Sequence, residues 1–179
     1  MIIPRQAQSA AAVAAHYDEL DPFYREIWGE HVHHGLWSPG LSPQEAADAL
    51  VDLVAARLDL RPGLALCDIG CGYGATASRL VRQHGVTVSG VTLSAVQASR
   101  ADGAANIRVC DWLANDFADA SFDRAYAIES SEHMADKQRF FTEAFRTLRP
   151  GGRLVICAWL ARPAPSPWEV THLLEPICR

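Results

Sequence analysis

Leu66-Cys67-Asp68-Ile69-Gly70-Cys71-Gly72-Tyr73-Gly74 decides the fold of this chain. An apolar run from Leu64 to Ile69 ends on a loop with glycine at alternate positions, and a helical pattern follows through Val81. Glycines there permit a tight turn and let a ligand approach the backbone closely. The alternation then continues. Val86 to Leu93 reads as a second strand, Ile107 to Cys110 as a third, Phe122 to Ile128 as a fourth and Leu154 to Trp159 as a fifth. Ahead of the first strand, Ser42-Pro43-Gln44-Glu45 is a capping box with proline at the first helical position. Ala46, Leu50, Leu53, Val54 and Leu58 follow on one face, and Arg61-Pro62-Gly63 stops that helix. Ser94-Ala95-Val96-Gln97 opens another capped helix. A later one carries Phe141, Ala144, Phe145 and Leu148 and ends at Arg149-Pro150-Gly151-Gly152. This order specifies an α/β fold, a mostly parallel sheet wound by right-handed crossovers. Such sheets bind ligands at the carboxyl ends of their strands, and every motif below falls at one of those ends.

The loop pattern Gly70-x-Gly72-x-x-Ala75 satisfies a dinucleotide fingerprint, which keeps an NAD(P)-dependent oxidoreductase as a rival. Such a site wants a ribose-binding acid roughly 20 residues on, at the end of the second strand. Here that strand ends Gly90-Val91-Thr92-Leu93-Ser94, without a carboxylate. Asp68, just before the loop, would repel a pyrophosphate but suits a ligand amine. S-adenosylmethionine (SAM) carries an ammonium, a carboxylate and a sulfonium and no phosphate, so the chemistry favours SAM.

The 179 residues amount to one domain, 49% apolar and 21% charged, with a net charge of −5. Arginine is dispersed rather than gathered into the basic stripe of a nucleic-acid surface. No apolar run reaches the length of a membrane span. The alanine-rich Ser9 to Ala15 runs into His16-Tyr17-Asp18-Glu19 without a basic flank and reads as a helix rather than a signal core. Of five cysteines, Cys67, Cys110 and Cys157 sit in apolar runs and read as buried thiols of a reducing compartment, with a cytoplasmic location as the expectation.

Taken in order, these motifs resemble class I SAM-dependent methyltransferases. The stretch from Leu66 to Gly74 is similar to their first motif, so the resemblance implies that Asp68, Gly70, Cys71 and Gly72 hold SAM. Gly90-Val91-Thr92-Leu93-Ser94 with Gln97 resembles the second-strand motif of a subgroup containing tocopherol methyltransferases and cyclopropane fatty acid synthases, which implies cofactor roles for Thr92, Leu93 and Gln97. Gln97 reads equally well as a capping-box residue. Cys110-Asp111-Trp112 resembles the adenine-binding turn, with Asp111 accepting from the amino group and Trp112 against the ring. The other readings are a turn residue and a core aromatic. Arg149-Pro150-Gly151-Gly152 resembles the turn before the fifth strand.

The segment Tyr17-Asp18-Glu19, with Trp28-Gly29-Glu30-His31-Val32-His33-His34-Gly35-Leu36-Trp37, resembles the lid of tocopherol-type enzymes. That implies Tyr17 and His33 near the methionine end of SAM, and Trp28 and Trp37 lining the acceptor pocket. The three histidines have no zinc-spaced partners, and no metal is expected. Packing accounts for His31 and His34. After the fourth strand, Glu129-Ser130-Ser131-Glu132-His133-Met134 resembles the loop from which the transferred methyl emerges. His133, with a reference pKa near working pH, is the candidate base, and Glu129 would orient it or bind the acceptor.

Three regions follow: an N-terminal helical lid over 1–41, a SAM-binding Rossmann-like domain over 42–160, and over 161–179 the start of a truncated C-terminal region. Family members continue with further helices and final antiparallel strands, so the chain is expected to be a fragment. Trp168 to Ile177 would be the first helix of the remainder, and the fifth strand an uncovered edge open to self-association. The function expected is methyl transfer from SAM, yielding S-adenosylhomocysteine (SAH), to carbon or oxygen of a small aromatic or lipophilic acceptor. A non-catalytic SAM-binding fragment and a cyclopropane fatty acid synthase-like enzyme are the further alternatives.

Overall fold

The computed structural model describes residues 9–174. Its centre is a five-stranded, all-parallel sheet in the order β3-β2-β1-β4-β5. The strands are β1 (Ala65–Ile69), β2 (Thr87–Thr92), β3 (Asn106–Val109), β4 (Phe122–Ile128) and β5 (Leu148–Cys157). Helices α1 (Ala10–Glu19) and α2 (Asp21–Ile27) precede α3 (Pro43–Leu58). Helices α4 (Ala75–His84), α5 (Ala95–Ser99) and α6 (Lys137–Thr147) form the crossovers, and a short α7 (Pro167–Glu169) follows β5. The strand order reverses between β1 and β4, and that switch point is where such sheets place a ligand.

Strand alternation sorts the core into two layers. Leu66, Val88, Tyr126 and Ile128 face Leu50, Val51, Val54 and Leu58 of α3 and Leu80 of α4. Cys67, Ile69, Val91, Ala125 and Ala127 face Trp112 and the α6 residues Phe140 and Ala144. Being apolar on both faces, the central strands are specified for the middle of a parallel sheet. The α3 capping box forms as its sequence predicts, with Ser42 N donating to Glu45 at 2.8 Å and Glu45 N to Ser42 Oγ at 3.3 Å.

Four sequence expectations are corrected. On α6 the buried face is Phe140, Glu143, Ala144 and Thr147, whereas Phe141 and Phe145 are exposed. Two apolar pairs one residue apart fit a helical stripe equally well. Contact with Trp112 and the Glu143 ion pairs to Arg139 and Arg146 choose between them. Leu53 of α3 is likewise exposed, and Val51 and Ala55 take the buried side. β5 begins at Leu148 rather than Leu154, because Leu148 pairs with Phe122 while Arg124 pairs with Arg153. The residues between form a bulge in the ladder, with Gly151 at φ +78°. Cys67 is buried, but Cys110 and Cys157 are only half-buried.

The N-terminal segment lies across the carboxyl ends of the strands and is tied down at several points. Asp18 accepts hydrogen bonds from Ser94 Oγ and Val96 N at the start of α5. Buried Asp21 accepts from Tyr73 Oη of the glycine loop at 2.8 Å and from Arg100 at 2.7 Å. Gly35 packs so closely on α3 that a Cβ there would lie 2.6 Å from the carbonyl carbon of Ala46, and Leu36 N donates to Ala46 O at 2.8 Å. β5 lies at one edge of the sheet and β3 at the other. Beyond α7 a π-type turn covers Val170–Leu174, and the rest of the expected Trp168–Ile177 helix lies outside the described residues, as does the fifth cysteine, Cys178. Among the described residues no helix is long and apolar enough to cross a membrane.

Candidate active site

One cleft at the carboxyl ends of β1, β2 and β4, roofed by the N-terminal segment, takes in every predicted cofactor and catalytic residue. Asp68, Gly70, Cys71 and Gly72 line it from the first turn, and Thr92, Leu93 and Gln97 from the second. Asp111 and Trp112 line it after β3, Glu129 and His133 after β4, and Tyr17 and His33 from the roof.

The glycine loop is shaped by contacts as well as by conformation. Gly70 has φ +81°, and a Cβ there would overlap the side chain of Ser130. Ser130 Oγ in turn donates to the carbonyl of Ile69, locking the β1 and β4 turns together. Asp68 is buried beside its ladder partner Tyr126, whose hydroxyl donates to the carboxylate at 2.9 Å. Burial raises the Asp68 pKa to about 7, because one neutral hydrogen bond does not replace the lost water. A cation placed against it would restore the charge.

At the end of β2, Thr92 Oγ1 donates to Gln97 Oε1 at 2.8 Å and accepts from Ser94 N at 3.2 Å. This commits the carbonyl end of a buried side chain and leaves its amide donors for a ligand oxygen. Ser94 caps α5 as expected, its Oγ accepting from Gln97 N at 3.0 Å, while the Gln97 side chain pairs with Thr92 instead of closing the capping box. Asp111 caps the turn Trp112–Ala114 through Leu113 N at 2.9 Å. Trp112 is buried, its Nε1 donating to Phe140 O, so it forms the cleft floor as part of the core.

Under the roof, Tyr17 Oη lies 3.0 Å from His133 Nε2, with the rings edge to face at 5.8 Å. Burial raises the Tyr17 pKa to about 12 and lowers that of His133, so both are neutral near pH 7. Glu129 does not orient His133. Its carboxylate accepts from His34 N at 3.1 and 3.2 Å and from His34 Nδ1 at 2.8 Å, fastening the roof to the end of β4. Glu129 holds φ +49°, in the left-handed region that residues other than glycine seldom adopt.

Trp28 and Trp37, predicted in the acceptor pocket, do not line this cleft. Trp28 packs edge-on against His34 at 4.6 Å, and Trp159 against its other side at 4.5 Å. Trp37 is exposed and donates from Nε1 to His34 O. His31 and His33 are both buried, and crowding by burial and by His31 depresses the His33 pKa to about 4. Among the described residues no three histidine, cysteine or acidic groups are gathered as a metal site. Sequence reasoning missed Val13, Thr76, Ser130 and Met134 as cleft residues. Helical periodicity does place Val13 and Tyr17 on one face, four residues apart.

The chain is 33% identical to a chloroplastic tocopherol O-methyltransferase of Arabidopsis thaliana, over 93% of its own length and 56% of that protein. It is 39% identical to a 27-O-demethylrifamycin SV methyltransferase of Amycolatopsis mediterranei, over 86% of its length and 60% of the relative. It thus spans little more than half of each. Among solved structures, a [4+2]-cyclase superposes with a TM-score of 0.80 at 34% identity, covering 87% of this chain and 61% of the cyclase. A mycolic acid cyclopropane synthase complexed with SAH superposes with a TM-score of 0.73 at 30% identity, covering 84% of this chain and 57% of the synthase. Residues 5–166 match the family described as mycolic acid cyclopropane synthetase, and with most of its length inside that match this chain belongs to that family, on a class I methyltransferase fold.

Proposed function

We propose that the cleft binds SAM and that the protein transfers its methyl group to carbon or oxygen of a small aromatic or lipophilic acceptor. The residues present fit the cofactor. Asp68 suits the ammonium group, Gln97 the ribose hydroxyls, and the open side of Asp111 the adenine amino group. Gly90 lets Cys71 of the glycine loop and Ile107 pack directly on β2, since a Cβ there would lie 2.6 Å from Ile107 Cδ1 and 2.9 Å from Cys71 Cβ. SAM supplies an activated methyl on a sulfonium, and the Tyr17 ring offers an aromatic face to that charge. The protein's part is to align acceptor, methyl and sulfur and to exclude water.

The observation that carries this reading is the neutral Tyr17–His133 pair, placed in the same cleft as Asp68 and the glycine loop. A neutral imidazole can take the proton that a hydroxyl or carbon acceptor must lose. Glu129 holds the roof closed over that point. Trp28 and Trp159 pack edge-on against His34, the residue that Glu129 holds, and this aromatic group suits the flat or apolar acceptors that the names of the relatives point to. The free thiols Cys67, Cys71, Cys110 and Cys157 support a reducing, cytoplasmic setting.

The test is mass spectrometry of acceptor libraries incubated with SAM carrying a trideuterated methyl group. Simple methylation delivers all three deuterons to the product. Cyclopropanation, the second reading and the one favoured by the family match, closes the ring by losing one of them from the transferred methyl as a deuteron. Labelled product with neither pattern, or no label in any acceptor, would defeat both.

A further inference from the structure

We propose that Lys137 is a positioning residue, whose ammonium group gathers the backbone carbonyls of the turn that carries His133 and so fixes that imidazole under the roof. The inference rests on His133 being the base of the proposed reaction. It begins from one atom. Lys137 Nζ donates to Ser131 O at 2.6 Å, to Glu132 O at 3.2 Å and to Met134 O at 2.6 Å. An ammonium group has three N–H bonds to share among such acceptors, and a charged donor makes each bond stronger than a neutral one.

The turn needs such a hold. Between β4 and α6 the chain makes one 3₁₀ turn, Ser131–His133, closed by His133 N on Ser130 O and Met134 N on Ser131 O, each at 3.2 Å. So short a turn leaves its last carbonyls without helical partners. Glu129 before it, at φ +49°, and Asp136 after it, at φ −91° and ψ +89°, are not helical, so neither neighbouring element runs into it. Ser130 Oγ pins the front of the turn to Ile69 O, and the Met134 side chain packs on the core layer around Trp112. The carbonyl side is held by Lys137, four residues beyond His133.

The placement of this lysine argues for the role. Lys137 is the first residue of α6, where the helix dipole favours an anion and disfavours a cation. A residue that breaks a local rule beside a reactive group is the kind that a site demands. Its charge also acts on the imidazole. Burial lowers the His133 pKa most, Glu132 of the turn raises it, and His16 of α1 and Lys137 lower it. Tyr17, also of α1, meets Nε2 as a neutral hydroxyl. Removing the Lys137 charge should therefore raise the His133 pKa.

The experiment compares two variants of this exposed residue on the full chain. Lys137→Met keeps the stem and removes charge and donors, and Lys137→Arg keeps both. Without ligand, hydrogen exchange at the His133 and Met134 amides should quicken several-fold in Lys137→Met. An NMR titration of the imidazole should show its His133 pKa raised, while the melting temperature holds or rises because α6 loses an unfavourable charge. With SAM and an acceptor that must lose a proton, kcat should fall about tenfold while SAH affinity stays within about twofold. The acid limb of the rate profile should move to higher pH. Lys137→Arg should restore turnover to within about threefold of the wild type. A merely structural lysine would instead lower the melting temperature of Lys137→Met and weaken SAH as much as kcat. That result, wild-type exchange at His133, or an unmoved His133 pKa would each overturn the assignment. A wild type that methylates no acceptor, with exchange and titration as expected, would strike the methyl-transfer reading alone.

Discussion

The hydroxyl of Tyr17 lies 3.0 Å from Nε2 of His133, a contact between residues 116 positions apart that joins the roof of the cleft to the turn after β4. His133→Ala should keep SAM affinity and lose turnover by ~100-fold on an acceptor that must shed a proton. Tyr17→Phe should cost less, roughly tenfold, because one neutral hydrogen bond is lost. Because burial lowers the His133 pKa, the acid limb of the rate profile should fall below the ordinary histidine value. Single-turnover assays across pH would measure both effects, and unchanged turnover in His133→Ala would remove it as the base.

Asp68 gives a pH dependence whose sign can be worked out. Its folded pKa of about 7 exceeds the ordinary 3.8, so the folded state holds a proton that the unfolded state has lost. Stability therefore declines as pH rises from about 4 to about 7. SAM binding runs the other way, since the ammonium group wants the carboxylate, and affinity should rise about tenfold between pH 6 and pH 8. Asp68→Asn should bind SAM more weakly yet unfold at a higher temperature than the wild type above pH 7. Calorimetry and thermal melts at both pH values would show the opposed trends. A mutant with undiminished affinity would take Asp68 out of the site.

Glu129→Gln should loosen the roof at His34, because an amide oxygen accepts less strongly than a carboxylate from the His34 backbone and ring. Hydrogen exchange read at the His34 amide should accelerate several-fold, on the order of 1 kcal/mol. Exchange at wild-type rate would mean that the backbone packing of Gly35 alone holds the segment.

Gly70→Ala places a methyl group against Ser130 at a positive φ, and should destabilise the fold by about 1–3 kcal/mol. Chemical denaturation would measure it. A neutral result would show that the β1 and β4 turns separate easily.

The strands and the turns that line the cleft were legible because their signals are local: apolar runs, glycines at fixed spacing, caps such as Ser42. Thr92, Gln97 and Asp111 could be placed at strand ends for the same reason. The Tyr126 hydroxyl on Asp68 could not, since it depends on which strand neighbours β1. Trp28 and Trp37 came from resemblance, and their packing around His34 depends on the path of a segment without periodicity. The phase of α6 was ambiguous by one residue until Trp112 and Arg146 supplied its neighbours.

The segment that roofs the cleft is fixed near both its ends, through Asp21 to Tyr73 and Arg100, and through Gly35 and Leu36 to Ala46. A flap with one free end can admit small molecules by swinging alone, but a strap fastened twice opens only when one fastening breaks. On the proposed function, exchange of spent cofactor for fresh would require one of these fastenings to break.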